Sequence, residues 1–213
     1  MIKNPFDKLV INDSYSFNKK CSEIAIDLFC HYCINCNGKE YYFAEIEFYY
    51  WDKDLWNEQW NRITYPRICN AGHLYYHLSG IDICFDSRYH EGNLNEKARF
   101  GGILIRAIRC EDGTVVAGPW NCMLKLLNEC DNGQMPKLMH SSKSCVQEEN
   151  IKPTYRALGE QDRIEDKKHN LQLCFFDSNI KEWSQEKVRL NKKLGILEKY
   201  QSKYNTERFN AQK

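Results

Sequence analysis

Asn37-Gly38 is the step that most restricts this chain, because Asn-Gly accepts the positive φ angles of a two-residue hairpin turn and strongly favours one. The residues on either side of it are then expected to be paired strands. Residues 30 to 36 form the first. Lys39 to Trp51, crowded with tyrosine and phenylalanine and interrupted by isolated carboxylates, forms the second. Strict alternation along that second strand puts Phe43, Glu45, Glu47 and Tyr49 on one face and Tyr42, Ala44, Ile46, Phe48 and Tyr50 on the other. On this pattern Glu45 and Glu47 share a face.

Around this hairpin the pattern is that of a mixed fold. Cys21, Ile24, Ala25 and Leu28 recur at helical spacing, so Lys19 to Phe29 is expected to be a helix packed on a core. His73 to Phe85 reads as one or two short strands interrupted at Ser79-Gly80. Gly101-Gly102 opens a strand over Ile103 to Cys110, which turns at Glu111-Asp112-Gly113 and pairs with Thr114 to Ala117. Gly118-Pro119 starts a second helix, with Trp120, Met123, Leu124 and Leu127 as its apolar stripe and Asn132-Gly133 as its end. Asp52 to Ala71 has no period and is expected to be a long loop. From Gln134 to Ile180 only Leu171 to Phe176 has the look of a buried strand. At 213 residues, with no internal repeat, the chain suits one α+β domain, mainly antiparallel sheet flanked by helices.

Composition limits the partners. Lys+Arg 30 against Asp+Glu 29 leaves a formal net charge of +1, so nucleic acid would have to be met by a local patch and not by a global field. No stretch approaches the roughly 18 apolar residues of a membrane span, and the first residues lack the apolar core of an export signal. The expectation is therefore a cytoplasmic monomer whose 11 cysteines are reduced thiols. Cys30, Cys33 and Cys36 have metal-like spacing, but a strand sends successive residues to opposite faces and would not let three thiols converge.

Glu45-Ile46-Glu47-Phe48-Tyr49 resembles the Glu-x-Glu-x-Tyr strand of the alkyladenine DNA glycosylases. The order of the surrounding segments is also similar. Gly72-His73-Leu74-Tyr75-Tyr76-His77 resembles the family's Gly-x-Leu-Tyr-x-Tyr, and Ile103 to Ile108 resembles its Leu-Leu-Arg-Ala-Leu strand. Gly118-Pro119 with its helix, Lys193-Leu194-Gly195-Ile196 and Arg208-Phe209 follow in family order. The resemblance spans most of 19 to 209. It implies a monofunctional N-glycosylase that flips a modified purine out of DNA, with no metal and no redox cofactor. Glu47 would activate the water, and Arg106 with the Gly195 and Ile196 backbone would hold it. Tyr49 and His77 would sandwich the base, with Tyr75 and Asp86 beside it.

These residue types suit that chemistry. Breaking a glycosidic bond builds positive charge on the sugar and needs a water on the side away from the leaving base. A carboxylate answers both needs, taking the water's proton while opposing the developing charge. The chain departs from the family at several places. His77 stands where the family has tyrosine, the duplex-wedging tyrosine falls near Leu78-Ser79, and the pocket asparagine falls on Asp86. A family histidine has no equivalent between Asp52 and Ala71. These departures leave two rival expectations: a binding module of the same fold, or an N-glycosidase acting on a free nucleotide, a nucleoside or RNA.

Overall fold

The computed structural model describes residues 14–52, 64, 69–85, 99–130, 133–141, 143, 146–156, 164, 166–168 and 170–180. Helix α1 (Ser14–His31) runs directly into strand β1 (Tyr32–Cys36), which turns back as β2 (Lys39–Asp52). A hairpin of β3 (Leu74–His77) and β4 (Gly80–Cys84) follows, then β5 (Arg99–Arg109), β6 (Val115–Ala117) and α2 (Pro119–Asn128). The described elements end with β7 (Lys137–His140), β8 (Ile151–Thr154) and β9 (Cys174–Asp177). The architecture is mixed, a curled antiparallel sheet with few helices. None of the helices among the described residues is long and apolar enough to cross a membrane.

The Asn-Gly turn forms as expected, with φ of 52° at Asn37 and 84° at Gly38, and it sets the register Cys36↔Lys39. The central pair is β2 with β5. On its other edge β2 pairs with β1 near its start and with β9 further along, while β5 pairs with β4 and then β6. Close contact within the central pair depends on Gly101, because a Cβ there would lie 2.2 Å from the Tyr49 carbonyl oxygen. Any side chain at 101 would push the strands apart.

The strict alternation expected of β2 is broken by a bulge. Phe43 lies opposite Ile108 and Ile46 opposite Ile105, yet between them Glu45 faces Ala107, so that Ala44 and Arg106 each lack an opposite number in this ladder. The two extra residues cancel and the register on either side is the same. The consequence is a change of face. Phe43 joins Ile46, Phe48 and Tyr50 in the main core, three residues before Ile46 instead of two, just as Ile105 and Ile108 do on β5. Ala44 lies on the opposite side, packed with Ala107, Val115 and Ala117. The expectation for Glu45, Glu47 and Tyr49 is unchanged; that for Tyr42, Phe43 and Ala44 is reversed.

The main core takes one face of the sheet together with Phe17, Cys21, Ile24, Ala25 and Leu28 of α1 and Cys122, Met123 and Leu126 of α2. Each fully buried Leu or Ile in such a core contributes roughly 1.5–3 kcal/mol. The stripe expected on α2 is rotated. Trp120 and Leu124 are about half and two-fifths exposed, and Cys122 and Leu126 take the buried positions. Small apolar cysteine carries little weight in a periodicity count, which explains the shift. Other boundaries also move. Cys30 belongs to α1 and not to a strand, β5 begins at Arg99 so that Gly101-Gly102 lies inside it, and α2 ends at Asn128, before Asn132-Gly133. The segment with little sequence signal supplies β7 and β8, and the buried strand expected within Leu171 to Phe176 forms as β9. Most of 52–71 lies outside the described residues, as do Asp86, Gly195, Ile196 and Arg208-Phe209.

Glu129 ties the end of α2 to the β1–β2 turn. Its carboxylate accepts from Lys125 Nζ and Lys39 Nζ, both at 2.6 Å, and its carbonyl accepts from Asn37 Nδ2 at 2.8 Å. The hydrogen bond from Lys125, then that from Lys39, lowers the carboxyl from its ordinary value of 4.5 to about 2. A group depressed in the folded state adds stability that is present above the unfolded value and lost as pH falls through the folded one. Thermal midpoints should therefore drop between pH 4.5 and about 2 more steeply in the wild type than in Glu129→Gln. The difference should be small, because Lys39 is 61% exposed and solvent screens the pair. Melts of both proteins at stepped pH measure it.

Candidate active site on the polar face of the sheet

The face of the sheet turned away from α1 and α2 carries a row of mostly polar side chains, interrupted by Leu104. Tyr75, Asp82, Leu104, Glu47, Cys174 and Thr154 lie directly opposite one another on β3, β4, β5, β2, β9 and β8. Residues directly opposite in a ladder point to one side. The intervening residues Ile81, Ile83, Ile103, Ile105, Ile46 and Phe175 point into the main core, which fixes the polar row on the other side.

At the centre Arg106 joins both strand carboxylates. Its guanidinium lies 3.0 Å (Nη1) from Glu47 Oε2 and 3.3 Å (Nε) from Glu45 Oε1. Alternation explains this, since Leu104 lies in the polar row and Ile105 points into the core, so Arg106 returns to the polar face. A charge between Ile105 and Ala107 in an apolar strand needs a partner, and Arg106 has two. Tyr49 OH donates to the same Glu47 Oε2 at 2.7 Å. Burial, followed by the neighbouring Glu47 charge, pushes the Tyr49 phenol well above its ordinary value, so it remains a donor. Opposite Tyr49 on β5 stands Gly102, which puts no side chain beside the ring.

Arg156 supports Tyr49 from the far side. Its guanidinium lies 5.1 Å from the centre of the Tyr49 ring, bonds Asp166 through Nε at 2.8 Å and Nη2 at 2.5 Å, and donates to the Phe48 carbonyl at 3.2 Å. Burial works against its charge, but the hydrogen bonds and charge of Asp166 outweigh that and hold the guanidinium protonated. At the other end of the row His77 Nε2 lies 3.1 Å from Asp82 Oδ1, and the His77 ring stacks on Tyr75 with centroids 6.0 Å apart.

Of the residues expected from sequence, Glu47, Arg106 and Tyr49 come together, and Tyr75 with His77 lies on the same face across Leu104. Asp86, Gly195 and Ile196 lie outside the described residues. Sequence reasoning passed over Asp82, although Ile81-Asp82-Ile83 carries the same signal as Arg106, a charge in an apolar strand. It also passed over Cys174, within the strand expected at Leu171 to Phe176, and over Thr154 and the Arg156–Asp166 pair, which sit where there is no clear periodicity. Comparison with family models, with curated proteins and with solved structures gives no match to this chain. The site is read from its own geometry.

That geometry offers a buried carboxylate with a charged partner and a phenol donor fixed on one of its oxygens. Such a group accepts a proton or opposes a developing positive charge. Glu45, Glu47 and Cys174 also bring two carboxylates and a thiol within 4.8 Å of one another, donors able to hold a divalent cation. The Arg106 guanidinium already supplies the compensating charge between the carboxylates. Cys174 Sγ donates to Glu45 Oε1 at 3.5 Å. Cys30, Cys33 and Cys36 do not converge: Cys36 faces the main core, while Cys33 hydrogen-bonds Glu40 on the other side.

Proposed function

We propose that this chain is a monofunctional N-glycosylase that removes a modified purine from DNA, with Glu47 as the water-activating base. The observation that carries the proposal is the convergence of Glu47, Arg106 and Tyr49, the trio expected from the glycosylase resemblance, on one buried polar face. Glu47 takes the proton of the attacking water, and its charge opposes the oxocarbenium-like sugar. Arg106 fixes the carboxylate and the water beside it. The rings of Tyr49 and His77 flank the base once it leaves the duplex, with Tyr75 beside them, which offsets its lost stacking. Leu78, 93% exposed at the tip of the β3–β4 hairpin, is the apolar side chain that enters the duplex where the family uses tyrosine. With a net charge of +1, DNA is held by a local patch.

One observation favours a second reading, a nucleic-acid or nucleotide-binding module without catalysis. Glu47 is wholly buried, with Tyr49 and Arg106 both on its Oε2, so its carboxylate is closed to bulk water in this conformation. Release of free base from alkylated duplex DNA by the purified protein separates the two. Release supports the enzyme; binding to the same DNA without release supports the module.

A further inference from the structure

We infer that Cys36 and Cys130 form an oxidisable pair, a site at which hydrogen peroxide closes a reversible disulfide between the end of β1 and the segment that follows α2. The ten cysteines among the described residues are all free thiols. Of these, the Cys36 thiol donates a hydrogen bond to the side chain of Cys130. The two are held together from both flanks. Asn37, next to Cys36, donates from Nδ2 to the carbonyl of Glu129, next to Cys130, at 2.8 Å. Lys39 Nζ reaches the Glu129 carboxylate at 2.6 Å. The Cys130 backbone N–H donates to the Leu127 carbonyl at 3.2 Å, and its side chain packs on the core that buries Cys36. Sulfurs already in contact need little backbone movement to bond, which is the usual obstacle to a new disulfide.

Exposure orders the two sulfurs. Cys36 is 1% exposed, while Cys130 is half-buried and is the one that peroxide meets first. Burial, the hydrogen bond to Cys130 and the adjacent charges push the Cys36 thiol up to about 12, so it keeps its proton until Cys130 has reacted. In the first step the Cys130 thiolate attacks one peroxide oxygen. The O–O bond breaks, and the hydroxide that leaves takes up the Cys130 proton as water, giving a sulfenic acid. The Tyr76 hydroxyl, buried without a hydrogen-bond partner and raised to about 12 by burial and then by the charges of Cys130 and Cys36, supplies a polar neighbour for that oxygen in an apolar core. In the second step the Cys36 sulfur attacks the sulfenic sulfur. The S–S bond forms, the S–O bond breaks, and hydroxide departs with the Cys36 proton as a second water. The two thiols lose two hydrogens and two electrons, and one peroxide becomes two waters. The bridge closes a loop of about 90 residues, which restricts the unfolded chain far more than the folded one. It involves none of Glu47, Arg106 or Tyr49, so its test is separate from that of base release.

The test takes the purified full chain, reduced and then freed of reductant, and titrates it with hydrogen peroxide. Remaining thiols are blocked with N-ethylmaleimide, and the unreduced protein is digested and mapped by tandem mass spectrometry. A link between Cys36 and Cys130 should form before any other and disappear with dithiothreitol. The oxidised protein should melt about 5–15 °C above the reduced one. Cys130→Ser should abolish both the link and the shift. Cys36→Ala should leave the sulfenic acid on Cys130, open to labelling by dimedone; if that variant does not fold, the wild-type map and Cys130→Ser carry the test. A first link between Cys130 and Cys110, which lines the neighbouring cleft with Tyr41 and Glu129, would overturn the pairing. Oxidation of Cys130 to the sulfinic acid with no link, or a link that forms only in urea, would overturn it as well. A linked protein that melts no higher than the reduced one would mean that the bridge does not fit the folded chain, and the site falls with it.

Discussion

Glu47→Gln is expected to lower base release from alkylated DNA by about 10³-fold, within the range that general-base catalysis contributes, while the protein stays folded. The fold should survive because Arg106 keeps a carboxylate partner. Its Nε remains 3.3 Å from Glu45, and a glutamine at 47 still accepts from Tyr49 through its amide oxygen. The face loses one buried negative charge from a cluster in which two carboxylates share one guanidinium. Chemistry fails because an amide takes no proton from water and does not oppose the charge on the sugar. Glu45→Gln is the control. It leaves the 3.0 Å Glu47–Arg106 pair intact and should retain activity within about tenfold, since Glu45 steadies Arg106 and does not face the water. Base release by the three proteins, with dichroism and DNA titrations, decides the matter. Full activity in Glu47→Gln would remove the mechanism, and equal loss in both variants would make the two carboxylates a single electrostatic unit.

Much of this site was legible because β-structure has a short period. Asn37-Gly38 fixed the start of β2, and from that start two-residue alternation put Glu45, Glu47 and Tyr49 on one face. The failure was local. A bulge adds one residue without any composition of its own, so nothing in Phe43-Ala44-Glu45 announced that Phe43 would turn to the core and Ala44 away from it. Glu47 and Tyr49 escaped the error because they lie beyond the bulge, while Glu45 and Arg106 sit within it. Arg106 was named by the resemblance, and the cost of an unpaired charge in an apolar strand points to it as well. Applied to Ile81-Asp82-Ile83, that argument would have found Asp82 too. Arg156 and Asp166 could not be found this way. Their pairing depends on how β8 and β9 return to the sheet, and the sequence around them has neither alternation nor a helical stripe.

Arg106→Ala should cost about 3–5 kcal/mol of folding stability, because it removes the guanidinium from between two buried carboxylates and leaves both uncompensated. Glu45 is 3% exposed and Glu47 not at all, so in the intact sheet the guanidinium and not bulk water balances their charge. Against a typical total of about 5–15 kcal/mol, such a loss brings the protein near unfolding. Lost activity in this variant would therefore say nothing about catalysis. Arg106→Lys separates the two roles. The ammonium keeps the positive charge but replaces a planar fork that reaches Glu45 through Nε and Glu47 through Nη1 with a single point, so it should retain most of the stability and lose positioning. Urea denaturation of the wild type, Arg106→Ala, Arg106→Lys and the triple variant Glu45→Gln, Glu47→Gln, Arg106→Met gives the stability side. The triple variant should recover most of the Arg106→Ala loss, since it removes the buried charges along with their partner. A loss of under about 1 kcal/mol in Arg106→Ala would mean that solvent reaches the carboxylates, and the buried triad would have to be redrawn as an open one.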